Sequence, residues 1–123
     1  MAIRIIRLGS PRAADEGLRL GTVRRPPRGV RKADYARRNF YDAWLPELSP
    51  SARLIARAHK DWPGFTKAYR REMQALGAQR LLEVLAKLSH QADFSVGCYC
   101  EDELRCHRSI LRELLRDKGA RIA

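Results

Sequence analysis

The amino-acid sequence predicts an α/β fold, a single compact domain with a mostly parallel or mixed sheet flanked by helices. Strand-like patterns near both ends of the chain are separated by helical patterns, and parallel strands need crossover connections of this kind. The uncharged segment Phe94–Tyr99 is typical of a central strand buried on both faces. A chain of 123 residues suffices for one hydrophobic core, so we expect one domain over residues 1–123, with a strand order that these patterns leave open.

Two strands are predicted in the amino-terminal third. In Ala2–Leu8 we expect the isoleucines to face the core and the arginines to face solvent. In Leu18–Val23 the alternation of side chains places Leu18 and Leu20 toward the core and Arg19 outside.

A basic loop is predicted to follow over Arg24–Gly29. Its two prolines and its glycine exclude regular structure, so we expect a solvated loop, with a phosphate clamp as the alternative. Lys32–Arg38 then predicts a short helix, and Asn39–Leu45 predicts a strand or a core-bound segment. Within it we expect Trp44 to pack in the core.

Three helices are predicted in the middle of the chain. Ser49 is expected to cap the first, which runs as far as Lys60. Asp61 is expected to cap the second, and Gly77 to break it. The apolar spacing of Leu81–Leu88 predicts the third.

The segment around which the chain is organised joins a strand, a loop and a helix. The strand Phe94–Tyr99 leads into the charged loop Glu101–Arg105, and a helix follows whose apolar side chains recur at helical spacing, namely Ile110, Leu111, Leu114 and Leu115. All three cysteines lie at this turn. Because ligands bind beyond the carboxyl ends of strands in open α/β sheets, and helix amino termini attract anions, we expect a site here. The last residues, 118–123, are expected to fray or to form a short strand.

The formal net charge of +11 is unevenly distributed. Residues 1–40 carry 11 Lys and Arg against 3 Asp and Glu, whereas the remaining 83 residues carry 14 against 11. A basic amino-terminal third favours attraction to polyanions, nucleic acid above all, and a solubilising surface is the alternative. No apolar run approaches the length that a membrane helix needs, and three closely spaced cysteines suit a reducing compartment, so we expect a cytoplasmic protein.

The cysteine cluster allows a nucleophilic thiolate. Cys98 or Cys100 would lie at the end of the strand, where the next helix and Arg105 or Arg108 favour a thiolate. The three carboxylates of the loop argue against it because they raise the pKa of a thiol, namely Glu101, Asp102 and Glu103.

Other chemistry is open to the same residues. Zinc is one alternative, with ligands from Cys98, Cys100, Cys106 and His107, although a single residue between the first pair is an unusual spacing. Anion binding by His107 and Arg108 at the helix amino terminus is another. The last is purely structural, with the cysteines packed as small apolar residues and His107 capping the helix.

Several motifs together resemble a known family. The chain is similar to the domain of unknown function 488 family, the YeaO-like group of small proteins, in the pattern Asp42-x-Trp44-Leu45, Phe65-x-x-x-Tyr69-x-x-Glu72, and Cys98 to Cys100 followed by Cys106-His107-Arg108. The resemblance covers most of the chain and implies a compact α/β domain. It implies no particular activity, because none is established for the family. Where relatives tend to have Trp-Pro-Arg-Gly, only Pro27-Arg28-Gly29 matches.

If the pocket pairs that loop with the Cys-His-Arg turn, each residue has an expected role. We expect anion contacts from Arg28, Arg105 and Arg108, a nucleophile in Cys100, and a proton donor or anion ligand in His107. Asp42 would orient an arginine or a histidine, with support from Trp44 and Cys98.

The leading hypothesis is therefore a small protein with an anion-binding, cysteine-bearing pocket, a candidate thiol-dependent enzyme that needs no cofactor. The alternatives are a basic nucleic-acid-binding module with structural cysteines, whose affinity would fall steeply with salt, and a structural zinc site. A small anionic ligand or nucleic acid is the expected partner, a membrane is not, and the oligomeric state is left open.

Overall fold

The computed structural model describes residues 1–123, with the exception of the side chain of Glu103. The described strands form one parallel sheet in the order β1-β4-β2-β3. The strands are β1 (Ile3–Arg7), β2 (Leu18–Gly21), β3 (Ala43–Trp44) and β4 (Phe94–Cys98), and the α-helices are α1 (Ala52–Ile55), α2 (Trp62–Glu72), α3 (Leu76–Leu88) and α4 (His107–Asp117). The predicted α/β fold is confirmed, and the sheet is parallel.

The central strand is β4, as the uncharged run predicts. It pairs with β1 on one side and with β2 on the other, so that both Ile3 and Leu18 lie opposite Phe94. Every residue of β4 is buried. The strand ends at Cys98, one residue before the predicted end.

The main core lies between one face of the sheet and the helices. Side chains of α2, α3 and α4 pack there against the strands, and the fully buried members include Ile3, Val96, Phe65, Tyr69, Leu82, Leu111 and Leu115. The Tyr69 hydroxyl, which burial would leave unsatisfied, donates to the backbone oxygen of Leu48 at 2.7 Å.

The predicted orientation of β2 is wrong in one important respect. Arg19 is fully buried, and Leu18, expected inside, is 60% exposed. The Arg19 guanidinium forms an ion pair with Glu16 and donates to the backbone oxygens of Asn39 (2.6 Å) and Ser10 (2.8 Å). A buried cation is tolerated when its hydrogen bonds are satisfied by a charged partner and by carbonyl groups. Alternation predicts which residues share a face, but here loops cover the second face too.

Helix boundaries also differ from the predictions. Ser51, not Ser49, caps α1, and this helix ends at Ile55, short of Lys60, because the Ser49 hydroxyl donates instead to the Pro46 carbonyl within a 3₁₀ turn. Gly77 does not separate two helices, since it is the second residue of α3. The Asp61 cap of α2 is confirmed, with the Gly64 amide donating to its carboxylate at 3.0 Å. None of the described helices has the length and apolar character needed to cross a membrane.

The segment between β2 and α1 is less regular than expected. The predicted helix over Lys32–Arg38 reduces to a 3₁₀ turn at Lys32–Asp34, and the strand within 39–45 to the two residues of β3. The prediction that Trp44 packs in the core is wrong: it is 42% exposed, and its indole N–H donates to the Val23 carbonyl at 2.7 Å. At the end of the chain, Ile122 forms an isolated bridge with Ile3.

The buried ion pair makes folding sensitive to acid. Burial raises the pKa of Glu16, but hydrogen bonds from Arg19, Ser95 and the Ala13 amide outweigh burial and lower the pKa from 4.5 to about 2. The stability that this carboxylate contributes is therefore present above pH 4.5 and is lost as the pH falls toward 2.

We expect the substitution E16Q to lower the free energy of unfolding at pH 7 by about 3–5 kcal/mol, because it leaves the Arg19 cation buried without its partner. The same substitution should flatten the fall in stability between pH 4.5 and 2, measured by denaturant unfolding across that range. D15N is the matched control, since Asp15 pairs with Arg4 at the surface and its loss should cost less than about 1 kcal/mol. Equal losses in the two variants would contradict this account.

Candidate functional site

Three cysteines meet at the carboxyl end of β4. Cys98 is the last residue of the strand, Cys100 follows it in the loop, and Cys106 is the N-cap residue of α4. Their sulfur atoms all lie within 4.8 Å of one another, and those of Cys98 and Cys106 are 2.6 Å apart. All three are free cysteines, of which Cys98 and Cys106 are buried and Cys100 is exposed. The loop thus turns back and brings the sulfur of Cys106 close to those of Cys98 and Cys100.

A pocket of about 430 Å³ opens beside these cysteines, and Cys98, Cys100 and His107 line it. Much of its wall is apolar and comes from the end of β2 and the start of α1, with Val23, Pro50, Ala52 and Ile55 as the contributing side chains. Arg24 and Arg25 add positive charge to the wall. The pocket therefore combines an apolar surface, cationic groups and one accessible thiol.

The three thiols do not ionise alike. Hydrogen bonds from the thiols of Cys106 and Cys98 lower the pKa of Cys100, and the nearby Arg108 cation adds to the effect. The same hydrogen bonds raise the pKa of Cys98 and Cys106, because a proton donated to a neighbouring thiolate is harder to lose. The cluster therefore holds its negative charge on the exposed sulfur, that of Cys100.

The loop carboxylates do not raise the pKa of Cys100 as expected. Glu101 pairs with Arg7 at 3.4 Å, and Asp102 accepts a hydrogen bond from the Leu104 amide at 3.0 Å. The prediction for the side chain of Glu103 lies outside the described residues. Both described carboxylates are thus engaged by partners other than the thiols.

His107 is buried and its protonation is set by its contacts. Its Nε2 lies 2.7 Å from the Thr22 carbonyl oxygen, which can only accept, so Nε2 carries the proton. Burial lowers the pKa of His107 to about 4, although the Thr22 carbonyl opposes the shift. The other nitrogen, Nδ1, is 3.7 Å from the sulfur of Cys106. His107 is therefore a neutral acceptor turned toward Cys106, with its only N–H already used.

The arginines expected to bind an anion lie in different surroundings. Arg108 is buried, and its Nη2 donates to the backbone oxygen of Cys100 at 2.6 Å, so it holds the loop in place. Arg105 is exposed in the 3₁₀ turn before α4. Arg28 is exposed too and does not belong to the lining of the pocket, which Arg24 and Arg25 form instead.

Asp42 and Trp44 line a second cavity of about 470 Å³. The Asp42 carboxylate accepts from the Arg12 guanidinium at 2.9 and 3.2 Å, and from the Arg19 amide at 2.8 Å. Trp44 holds the Val23 carbonyl through its indole N–H. These two residues therefore support the loop next to the cysteine pocket without lining that pocket.

Sequence reasoning missed several residues of the pocket. The basic segment Arg24–Gly29 indicates a clamp, but the motifs assign an anion contact only to its Arg28. Arg24 donates to the backbone oxygens of Pro50 and Ser49, both at 3.2 Å. The Tyr99 hydroxyl donates to the Arg25 carbonyl at 2.9 Å. The loop is thus tied both to the start of α1 and to the end of β4, and no local pattern reveals those contacts.

Comparison with known protein families identifies a match over most of the chain. A family model, DUF488-N3a, described as the active DUF488-N3 subclade, matches residues 3–119, which confirms the resemblance inferred from the motifs. No curated protein and no solved structure matches the chain.

The shared thiolate predicts how Cys100 reacts. Alkylation of Cys100 by iodoacetamide should have its pH midpoint well below that of an ordinary thiol, because the neighbouring thiols lower its pKa, and C98A and C106A should each move that midpoint to higher pH. The measurement is a pH profile of the alkylation rate, with mass spectrometry to locate the adduct. In denaturant, where the cluster is lost, the wild-type midpoint should return to that of an ordinary thiol. A midpoint that neither substitution moves would show that the neighbouring thiols do not stabilise the charge.

Proposed function

The chain belongs to the DUF488-N3a family, and on that premise we propose that it is a thiol-dependent enzyme in which Cys100 attacks a small anionic substrate. The observation that carries the proposal is the position of Cys100, an exposed thiol in the lining of the pocket with two buried thiols next to it. A thiolate is the reactive form of cysteine, and both neighbours favour it at this sulfur.

Cys100 is the best candidate among the three cysteines for two reasons. It is accessible from the pocket, whereas Cys98 and Cys106 are each 2% exposed. The neighbouring thiols also lower the pKa of Cys100, whereas the pKa values of Cys98 and Cys106 are raised. The buried pair then has a supporting role toward the nucleophile.

Arg25 is the cation that we assign to substrate binding. The guanidinium of Arg24 is already bound to two carbonyl oxygens, and Arg108 is bound to the Cys100 carbonyl. Arg25 lines the pocket, its side chain is exposed, and its backbone is held by Tyr99. An anionic group of the substrate would lie against Arg25, with its apolar part against Val23 and Ile55.

Two alkylating agents that differ in charge, anionic iodoacetate and neutral iodoacetamide, test this assignment. If Arg25 attracts anions into the pocket, iodoacetate should alkylate Cys100 faster, relative to neutral iodoacetamide, in the wild type than in R25Q. We expect R25Q to lower this rate ratio by about fivefold, the effect of one nearby charge worth about 1 kcal/mol.

The matched control is R28Q, which removes the same charge from the same loop but outside the pocket lining. It should leave the ratio close to the wild-type value at 0.15 M salt, where exposed charges are largely screened. Equal effects of R25Q and R28Q would mean that the net charge of the surface, and not the pocket, selects the anion.

A metal site is the second candidate, because the three sulfurs form a group that can bind a soft cation such as zinc. His107 could add Nδ1, since its Nε2–H is held by a carbonyl in the way that metal-bound histidines are usually oriented. The sulfurs of Cys98 and Cys106 would have to separate to roughly 3.8 Å, the spacing of thiolates around tetrahedral zinc. This alternative predicts one equivalent of zinc in the purified protein and a lower melting temperature after chelation, measured by elemental analysis and thermal unfolding.

Nucleic-acid binding stays a prediction from the charge of residues 1–40. Much of that charge has internal partners: side chains that form ion pairs with carboxylates include Arg4, Arg7, Arg12, Arg19, Arg31 and Arg37. Binding of a polyanion would therefore depend on the exposed cations of the loop, among them Arg25 and Arg28. We further propose a cytoplasmic location, because the proposed chemistry needs free thiols and a reducing compartment preserves them.

A further inference from the structure

Two further thiols lie close to Cys100, more than a single nucleophile requires. An acyl-transfer enzyme places a base beside its nucleophile, but the base here, Nδ1 of His107, faces Cys106 at 3.7 Å. What lies beside Cys100 is a pair of thiols, both within 4.8 Å. Such a pair is suited to reducing whatever oxidised form the first sulfur adopts.

We propose that the three cysteines act as a relay that reduces organic hydroperoxides, in which Cys100 is oxidised, Cys106 resolves it, and Cys98 closes a buried disulfide with Cys106. This inference rests on the proposed function, because it takes Cys100 as the nucleophile of the pocket. It adds the class of substrate, the order of the steps and the final oxidised state.

In the first step the Cys100 thiolate attacks the terminal oxygen of the hydroperoxide. The O–O bond breaks, an S–O bond forms, and the alkoxide leaves and takes a proton, so that an alcohol and a Cys100 sulfenic acid result. Arg25 lines the same pocket and would stabilise the charge on the departing oxygen, and the apolar wall formed by Val23, Pro50 and Ile55 suits the organic group.

In the second step Cys106 attacks the sulfur of the Cys100 sulfenic acid. His107 Nδ1 accepts the proton of the Cys106 thiol, the S–O bond breaks, and the hydroxide takes that proton and leaves as water. A disulfide now joins Cys100 and Cys106. No second substrate molecule is needed, because the sulfur of the resolving thiol lies within 4.8 Å of that of Cys100.

In the third step Cys98 attacks the Cys106 sulfur, 2.6 Å away. The Cys98 thiol releases its proton into the pocket that it lines, which balances the proton taken by the alkoxide in the first step. The bond between Cys106 and Cys100 breaks, and Cys100 leaves as the thiolate that attacked the hydroperoxide. The product is a disulfide between the two buried sulfurs. Overall, one hydroperoxide and two thiols give an alcohol, water and a disulfide, and an external dithiol reduces that disulfide to complete the cycle.

The final disulfide can be identified by peptide mapping. The protein is treated with one equivalent of cumene hydroperoxide, its free thiols are blocked with N-ethylmaleimide at low pH, and trypsin is added. Cleavage after Arg105 separates Cys106 from the peptide that carries Cys98 and Cys100. We expect Cys106 linked to Cys98 and the maleimide on Cys100; a wild-type disulfide that contains Cys100, or one between two molecules, would overturn the relay.

Single substitutions should stop the relay at successive steps. C98A should accumulate the disulfide between Cys100 and Cys106, and C106A should leave a Cys100 sulfenic acid that dimedone traps. C100A should be oxidised at least about a hundredfold more slowly, because its two remaining thiols are buried. A C100A protein that forms the buried disulfide as fast as the wild type would overturn the order of the steps.

Turnover and substrate class are tested on the same protein. With dithiothreitol as reductant, the wild type should consume many equivalents of cumene hydroperoxide, and faster than hydrogen peroxide because of the apolar wall. Oxidation by glutathione disulfide alone, with no reaction with either peroxide, would overturn the assigned substrate class. If Cys100 reacts rapidly with iodoacetate but yields no disulfide, the relay fails while the proposed nucleophile stands; if Cys100 is inert to both reagents, both fail.

Discussion

The structure depends on the backbone pairing of β4 with strands on both of its sides. A strand flanked by β1 and β2 and buried on both faces has its amide and carbonyl groups satisfied only by those neighbours. The pairing extends to the carboxyl edge, where the amides of Leu8 and Thr22 donate to the carbonyls of Cys98 and Gly97 at 2.8 and 3.0 Å. The place where Cys98 emerges is therefore set by the sheet, and the cysteine pocket forms around it.

Buried or semi-buried arginines form much of the framework that holds this edge. Arg19 joins the loops that cover one face of the sheet, Arg24 ties the basic loop to Ser49 and Pro50, and Arg108 holds the Cys100 carbonyl. A planar guanidinium with several donors can bridge carbonyl groups from separate segments at once. The high content of arginine is thus partly structural, and net charge alone overstates how much of it is available to a partner.

Neighbouring groups in the site determine one another's protonation. Three thiols lie within 4.8 Å of one another, and the two buried ones lower the pKa of the exposed one while their own pKa values are raised. His107 is kept neutral by burial and oriented by Thr22, so it can accept a proton from Cys106 but has no proton to offer to a bound anion. In the function that we propose, Cys100 is the nucleophile, His107 accepts a proton and Arg25 contacts the substrate.

The sequence by itself determined the α/β fold with a mostly parallel or mixed sheet, the buried central strand, the Asp61 cap and the position of the cysteines at the end of that strand. These follow from periodicity, charge and local hydrogen bonding, which a short segment encodes. Only the tertiary structure decided that Arg19 is buried, that Arg25 lines the pocket while Arg28 does not, and that Asp42 and Trp44 lie at another cavity. Those outcomes depend on contacts between segments distant in the chain, such as Thr22 with His107, and no local pattern specifies which distant groups burial will bring together.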